Sequence, residues 1–142
     1  MRVAEARALT KSYHFGDTEV HALRGVDITI EEHEFVAVWG PSGSGKTTLC
    51  NLIGLLDDPT SGEVTIGDRS ASHLRDDEKS ALRNESIGFV FQNFNLVPVL
   101  SALENVMLPL QIQGVALTDA KEKALRLLDE VELSERAHHR PQ

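Results

Sequence analysis

FVAVWGPSGSGKTT, residues 35–48, joins an apolar run directly to a glycine-rich turn, and its reading decides the fold. Residues 35–39 (FVAVW) are continuously apolar and rich in strand formers, the pattern of a β-strand buried on both faces. The eight residues that follow, Gly40, Pro41, Ser42, Gly43, Ser44, Gly45, Lys46 and Thr47, satisfy the spacing G-x-x-x-x-G-K-[ST]. From Lys46 onward, Leu49, Leu52, Ile53 and Leu56 recur at helical spacing, and Asp58, Pro59, Ser61 and Gly62 stop the helix. The order is strand, glycine loop, helix.

That order has a chemical meaning. Glycines let the backbone take positive φ angles and wrap an anion, so that successive N–H groups converge on it. A helix starting near Gly45 adds unsatisfied N–H groups and the positive end of its dipole at the same place. Lys46 is long enough to reach the β and γ phosphates of a nucleotide, and the Thr47 hydroxyl suits Mg²⁺. Gly40 through Thr47, with the neighbouring Thr48, are the candidate nucleotide-binding residues, Lys46 the candidate catalytic one, and ATP with Mg²⁺ the expected ligand. Gly and Ser also build plain turns. The flanking strand and helix are what set this turn apart.

Outward from the loop, residues 3–9, 20–23 and 26–30 read as short strands of an antiparallel layer, separated by Gly16, Asp17 and Gly25. Downstream, residues 62–66 read as a strand, 76–84 as a polar helix and 87–91 (IGFVF) as a second buried strand ending at Gln92. Residues 102–111 carry a helical pattern interrupted by Pro109. Residues 119–131 form an amphipathic helix with Asp119 and Glu122 at capping spacing. The tail from 132 to 142 is polar.

Composition narrows the partners. A chain of 142 residues is the size of one modest domain, or part of one. A formal net charge of -8 argues against sequence-independent binding to nucleic acid, which needs many cationic contacts. The lone Cys50 fits a reducing compartment, and no apolar run approaches the roughly 20 residues that span a bilayer. A cytoplasmic setting, peripheral to any membrane, is expected.

With Gln92, the loop after it and the upstream Tyr13 added to the glycine loop, the sequence resembles the nucleotide-binding subunit of ABC transporters over nearly its whole length. Residues 90–110 (VFQNFNLVPVLSALENVMLPL) resemble the branch that drives lipoprotein release and macrolide export. The resemblance implies an α/β P-loop NTPase core with an N-terminal antiparallel β layer, residues 1–142 forming the N-terminal part of one ATP-binding domain. It implies that Tyr13 stacks on adenine, a contact worth about 1 to 3 kcal/mol. It gives Gln92 an amide oxygen directed at Mg²⁺ or the attacking water. A membrane permease subunit at the inner face of the membrane and, in the complete subunit, a second copy forming a homodimer are the implied partners.

Other family features are missing from these residues. No LSGGQ signature and no apolar strand ending in Asp-Glu occurs. Residues 124–130 (ALRLLDE) imitate such a strand, but Arg126 interrupts it, and Leu125, Leu128 and Val131 repeat every three residues, as on one face of a surface helix. The tail SERAHHRPQ resembles the stretch before the signature, so the resemblance implies a chain that stops short of it; His138 and His139 read as solvated. Weak or no ATPase activity and poor stability are therefore expected, because a parallel sheet around residues 35–39 would have unpaired edges. A GTPase is disfavoured, since neither N-K-x-D nor D-x-x-G occurs. A small-molecule kinase and a non-catalytic nucleotide-binding or permease-docking module stay open.

Overall fold

A turn at Gly16 and Asp17 folds the N-terminal third back on itself. β1 (Arg2–Phe15) and β2 (Thr18–Glu31) pair antiparallel from Arg2↔Glu31 to Phe15↔Thr18 in a computed structural model that describes residues 1–142. The three short strands expected from the sequence are thus one long hairpin. Gly25 does not separate strands; it lies inside β2 at φ 88, where the register steps from Leu9↔Val26 to Thr10↔Arg24. A bulge absorbs the residue that a break would have removed. A second irregularity sits at Ala8, whose φ is 46 and whose N–H donates to Asp27 Oδ1 at 2.7 Å.

Two more strands, β3 (Ser61–Ile66) and β4 (Arg69–Ser70), complete an antiparallel sheet in the order β2-β1-β3-β4. Helices α1 (Lys46–Ile53) and α2 (Asp76–Ser86) share its core: Leu49, Leu52 and Leu82 are buried with Ala4, Ala6, Leu9, Val64 and Ile66. These elements belong to one compact unit, Met1–Gly88. α1 is shorter than its apolar spacing implies. It ends at Ile53 with Gly54 as C-cap, and Leu55 turns left-handed at φ 57. That turn buries Leu55 in the core and leaves Leu56 exposed, the reverse of the helical reading.

The two apolar runs expected as buried parallel strands are not strands here. Residues 35–39 are extended without a ladder partner, with Phe35 and Trp39 at 93% and 91% exposure. Residues 87–91 are likewise unpaired, and Val90 is fully exposed. A parallel strand needs neighbours across long crossovers, and every strand formed by these 142 residues is already placed in the antiparallel sheet. The α/β class and its antiparallel layer stand; the parallel layer is not formed by these residues.

The second unit, Phe89–Gln142, is built on α3 (Ala102–Ile112) and α4 (Leu117–Glu130). Leu103, Met107 and Leu110 pack with Ala120, Ala124, Leu128 and Ala137. α3 runs through Pro109 instead of breaking there, and the buried Met107 and Leu110 hold the helix across the one N–H that proline cannot donate. Its start is well capped: Glu104 Oε2 accepts from the Ser101 amide at 2.7 Å and Ser101 Oγ accepts from the Glu104 amide at 3.3 Å. Asn105 pins the preceding loop, accepting from the Val97 amide at 2.8 Å and donating to the Ser101 carbonyl at 2.9 Å.

α4 is a helix and not a metal-binding strand, as its periodicity requires. Its buried face is Ala120, Ala124 and Leu128, four residues apart; Leu125 and Val131 are exposed, so the three-residue repeat marks the wrong face. The expected cap is also displaced. The N-cap is Ala116, three positions upstream of the expected Asp119, which lies in the first turn instead. There it faces the positive end of the dipole.

Leu52 is completely buried, and Leu52→Ala is expected to lower the unfolding free energy by about 2 to 5 kcal/mol, read as a lower urea midpoint at unchanged slope. The pH dependence has a definite sign. Glu104 and Glu78 are held below the ordinary carboxylate range, chiefly by the Ser101 and Arg75 backbone amides respectively. A carboxylate with a depressed folded pKa stabilises above its unfolded pKa, and that contribution is lost as pH falls through the folded value. The urea midpoint should therefore drop as pH is lowered below about 4.

Candidate functional site

In the glycine loop the backbone does what the sequence requires. Gly40, Gly43 and Gly45 all take positive φ, at 156, 79 and 88. Gly45 is the N-cap of α1, and no side chain caps that end of the helix. The Leu49 amide begins the helical ladder by donating to the Gly45 carbonyl at 2.8 Å, so the amides before it carry no intrahelical acceptor. The loop is closed by a Ser44 amide to Pro41 carbonyl bond of 3.3 Å. A turn, a helix start and an amide-rich concavity coincide.

Gly45 is also where the loop meets the hairpin. A β-carbon placed on it would lie 2.5 Å from the Ala22 carbonyl oxygen and 2.9 Å from Leu23 Cδ2. Only glycine permits both that approach and the left-handed φ. The loop is thereby seated on β2.

Lys46 folds back over the loop. Its Nζ donates to the Gly40 carbonyl at 2.9 Å, the Pro41 carbonyl at 2.7 Å and Ser44 Oγ at 3.5 Å. The ammonium is half-buried and is satisfied by neutral acceptors alone, with no carboxylate in its ion-pair range. Such a cation is matched to an anion that can displace those carbonyls. Thr47 is exposed and Thr48 half-buried on the first turn of α1; Pro41, Ser42, Gly43 and Ser44 are exposed. The structure thus brings Gly40 to Thr48 together as one loop and helix start.

Tyr13 lies on β1 opposite Val20 in the same unit. It is half-buried, and its hydroxyl donates to Asp57 Oδ2 at 2.9 Å. Lys11 Nζ stands 5.0 Å from the centroid of its ring and donates to Asp57 Oδ1 at 2.7 Å and to the Asp58 carbonyl at 2.6 Å. Lys79 of α2 reaches Asp58 Oδ1 at 2.5 Å. Burial pushes the Asp57 carboxyl up, but hydrogen bonds from Lys11, Tyr13 and the Asp58 amide outweigh it and hold the group below its ordinary range. Sequence reasoning missed this cluster because Asp58 read only as a helix stop and Asp57 belonged to no motif.

Gln92 belongs to the other unit, exposed in the turn that follows residues 87–91. In the segment around it, the Phe89 and Phe91 rings stack at 5.4 Å with planes 9° apart, while Phe94 and Val99 are 81% and 68% exposed. His138 and His139 are exposed at the tail, where the His139 and Ala137 carbonyls accept from the Ala102 and Leu103 amides at the start of α3. No helix is long and apolar enough to cross a membrane.

Residues 23–142, which include the loop, α1 and all of the second unit, match the ABC transporter family. The chain belongs to that family. Its relatives include the macrolide export ATP-binding/permease protein MacB of Hyphomonas neptunium, 50% identical over 137 residues, which are 96% of this chain and 21% of MacB. The lipoprotein-releasing system ATP-binding protein LolD of Legionella pneumophila is 45% identical over 139 residues, 98% of this chain and 61% of LolD. Among solved structures, the dimeric, post-hydrolysis ATP-binding cassette MJ0796 bound to ADP and Pi superposes with a TM-score of 0.89 at 44% identity. That match covers 97% of this chain and 61% of the cassette. This ABC transporter family chain therefore spans about three fifths of the stand-alone ATP-binding relatives.

The seating of Gly45 on β2 gives a direct test. Gly45→Ala forces a β-carbon into the Ala22 carbonyl at a left-handed φ, which costs at least about 1 to 2 kcal/mol from the backbone alone. A fall in thermal midpoint without ligand is expected, larger than that from alanine at Gly43, whose position is open to solvent.

Proposed function

We propose that this chain binds ATP with Mg²⁺ as the nucleotide-binding part of an ABC transporter, working against a membrane permease in export or lipoprotein release. The observation that carries the reading is the loop itself: three left-handed glycines, a helix start without a side-chain cap, and an ammonium group resting on neutral carbonyls. Each of these is satisfied better by a polyanion than by what surrounds it now.

In this reading the amides of Gly43, Gly45, Lys46 and Thr47 cradle the phosphates, and Lys46 exchanges the Gly40 and Pro41 carbonyls for β and γ phosphate oxygens. Ser42 and Ser44 supply hydroxyls at the loop's rim, and Thr47, with Thr48 beside it, supplies the hydroxyl for Mg²⁺. Mg²⁺ held at the Thr47 hydroxyl would offset the negative charge of the phosphates. Tyr13 offers its ring to adenine, and Gln92 keeps the role that family resemblance gives it. Both units belong to one ATP-binding domain, supported by a family match that runs through both.

The relatives MacB and LolD, named for macrolide export and lipoprotein release, support the transport branch. The dimeric form of the MJ0796 cassette supports assembly of two such domains. The exposed Phe94, Leu96 and Val99 beyond Gln92 give an apolar surface suited to a permease. A cytoplasmic position beside the inner membrane follows from that partner.

Phosphoryl transfer also needs a second carboxylate for the metal and a positioned water. Neither is assigned to a residue here, so these 142 residues should bind nucleotide and turn it over slowly or not at all. Titration calorimetry with Mg–ATP tests this: wild type should give saturable heat, and Lys46→Ala should weaken binding at least about tenfold through loss of charge-assisted bonds. Absence of heat from soluble wild-type protein would overturn the reading. Brisk steady-state turnover would overturn the hydrolytic part alone.

A further inference from the structure

The Lys11–Tyr13–Asp57 cluster links two parts of the nucleotide site that the sequence treats separately. Tyr13 sits on β1, while Asp57 follows α1, the helix whose start is the phosphate loop. One carboxylate accepts from both partners: Oδ2 from the tyrosine hydroxyl at 2.9 Å and Oδ1 from Lys11 Nζ at 2.7 Å. The same ammonium stands 5.0 Å from the ring centroid. The ring is therefore fixed at its tip by a hydrogen bond and covered on one face by a cation, with the Phe15 ring tilted beside it at 6.5 Å between centroids. Lys11 is itself held by the Asp58 carbonyl, and Asp58 by Lys79 of α2.

We propose that Asp57, with Lys11, is a positioning residue that sets the Tyr13 ring at a fixed place relative to the phosphate loop, so that adenine and triphosphate are bound as one rigid span. The inference rests on the reading of Tyr13 as the adenine-stacking residue given above. Its physical basis is preorganisation: a free aromatic side chain must be immobilised when the base binds, at a cost that a prior hydrogen bond and ion pair have already met. Asp57 touches no nucleotide in this scheme and acts only through Tyr13.

The span makes the prediction selective. Loss of the clamp should weaken ligands that carry adenine and leave base-free ligands untouched. Affinities for Mg–ATP and for Mg–tripolyphosphate, measured by calorimetry on the full chain, would be compared for wild type, Tyr13→Phe, Asp57→Ala and Tyr13→Ala. Tyr13→Phe keeps the ring and removes only the tethering hydroxyl, so it decides the question even if Asp57→Ala fails to fold.

Tyr13→Phe and Asp57→Ala are expected to weaken Mg–ATP by about three- to tenfold, Tyr13→Ala by about tenfold or more, and none of them to change tripolyphosphate affinity. If Tyr13→Ala weakens Mg–ATP while Tyr13→Phe does not, stacking stands and the clamp is overturned. Equal weakening of both ligands by Tyr13→Phe would make the cluster merely structural and would also overturn it. Unchanged Mg–ATP binding by Tyr13→Ala would remove the stacking role itself, and the clamp with it.

Discussion

The backbone of Gly45 and the carbonyl of Ala22 approach too closely for any side chain to stand between them, and most of the site follows from that contact. It seats the glycine loop on the long hairpin. It fixes where α1 begins, and so where the unsatisfied amides and the positive end of the helix dipole point. Lys46, one residue on, can then reach back over the loop to Gly40 and Pro41. The cost of a left-handed φ is met by a residue without a β-carbon, and the resulting strain-free concavity is lined by donors.

Much of this was legible in the sequence, because the loop is a local object. Its glycines, lysine and threonine are consecutive, and their conformations depend on their immediate neighbours. Elements held by local periodicity, such as α2, α4 and β3, were legible for the same reason. Boundaries set by tertiary packing were not. Gly25 looked like a break but is a bulge, since the apolar residues on both sides of it pack on one core. Leu55 and not Leu56 is buried, because α1 stops at Gly54 and reverses hand.

The apolar runs at residues 35–39 and 87–91 show the limit of composition. Their lack of polar residues specifies burial on both faces, yet burial needs covering elements, and a strand's identity resides in its neighbours as much as in itself. In this chain both remain extended and unpaired; residues 35–39 are exposed, whereas Ile87 and Phe89 of the second run are half-buried. The Asp57 cluster was invisible for a different reason: its members are 44 and 46 residues apart in the chain. No local pattern announces a carboxylate that joins the end of a helix to the middle of a hairpin.

The central claim is that backbone amides at the start of α1 capture phosphate, and amide chemical shifts report that most directly. In a ¹H–¹⁵N titration with Mg–tripolyphosphate, a ligand with no base to stack, the Gly43, Gly45, Lys46 and Thr47 amide protons should move downfield together and saturate. A titration that leaves those four resonances in place, whether or not others move, would contradict the account.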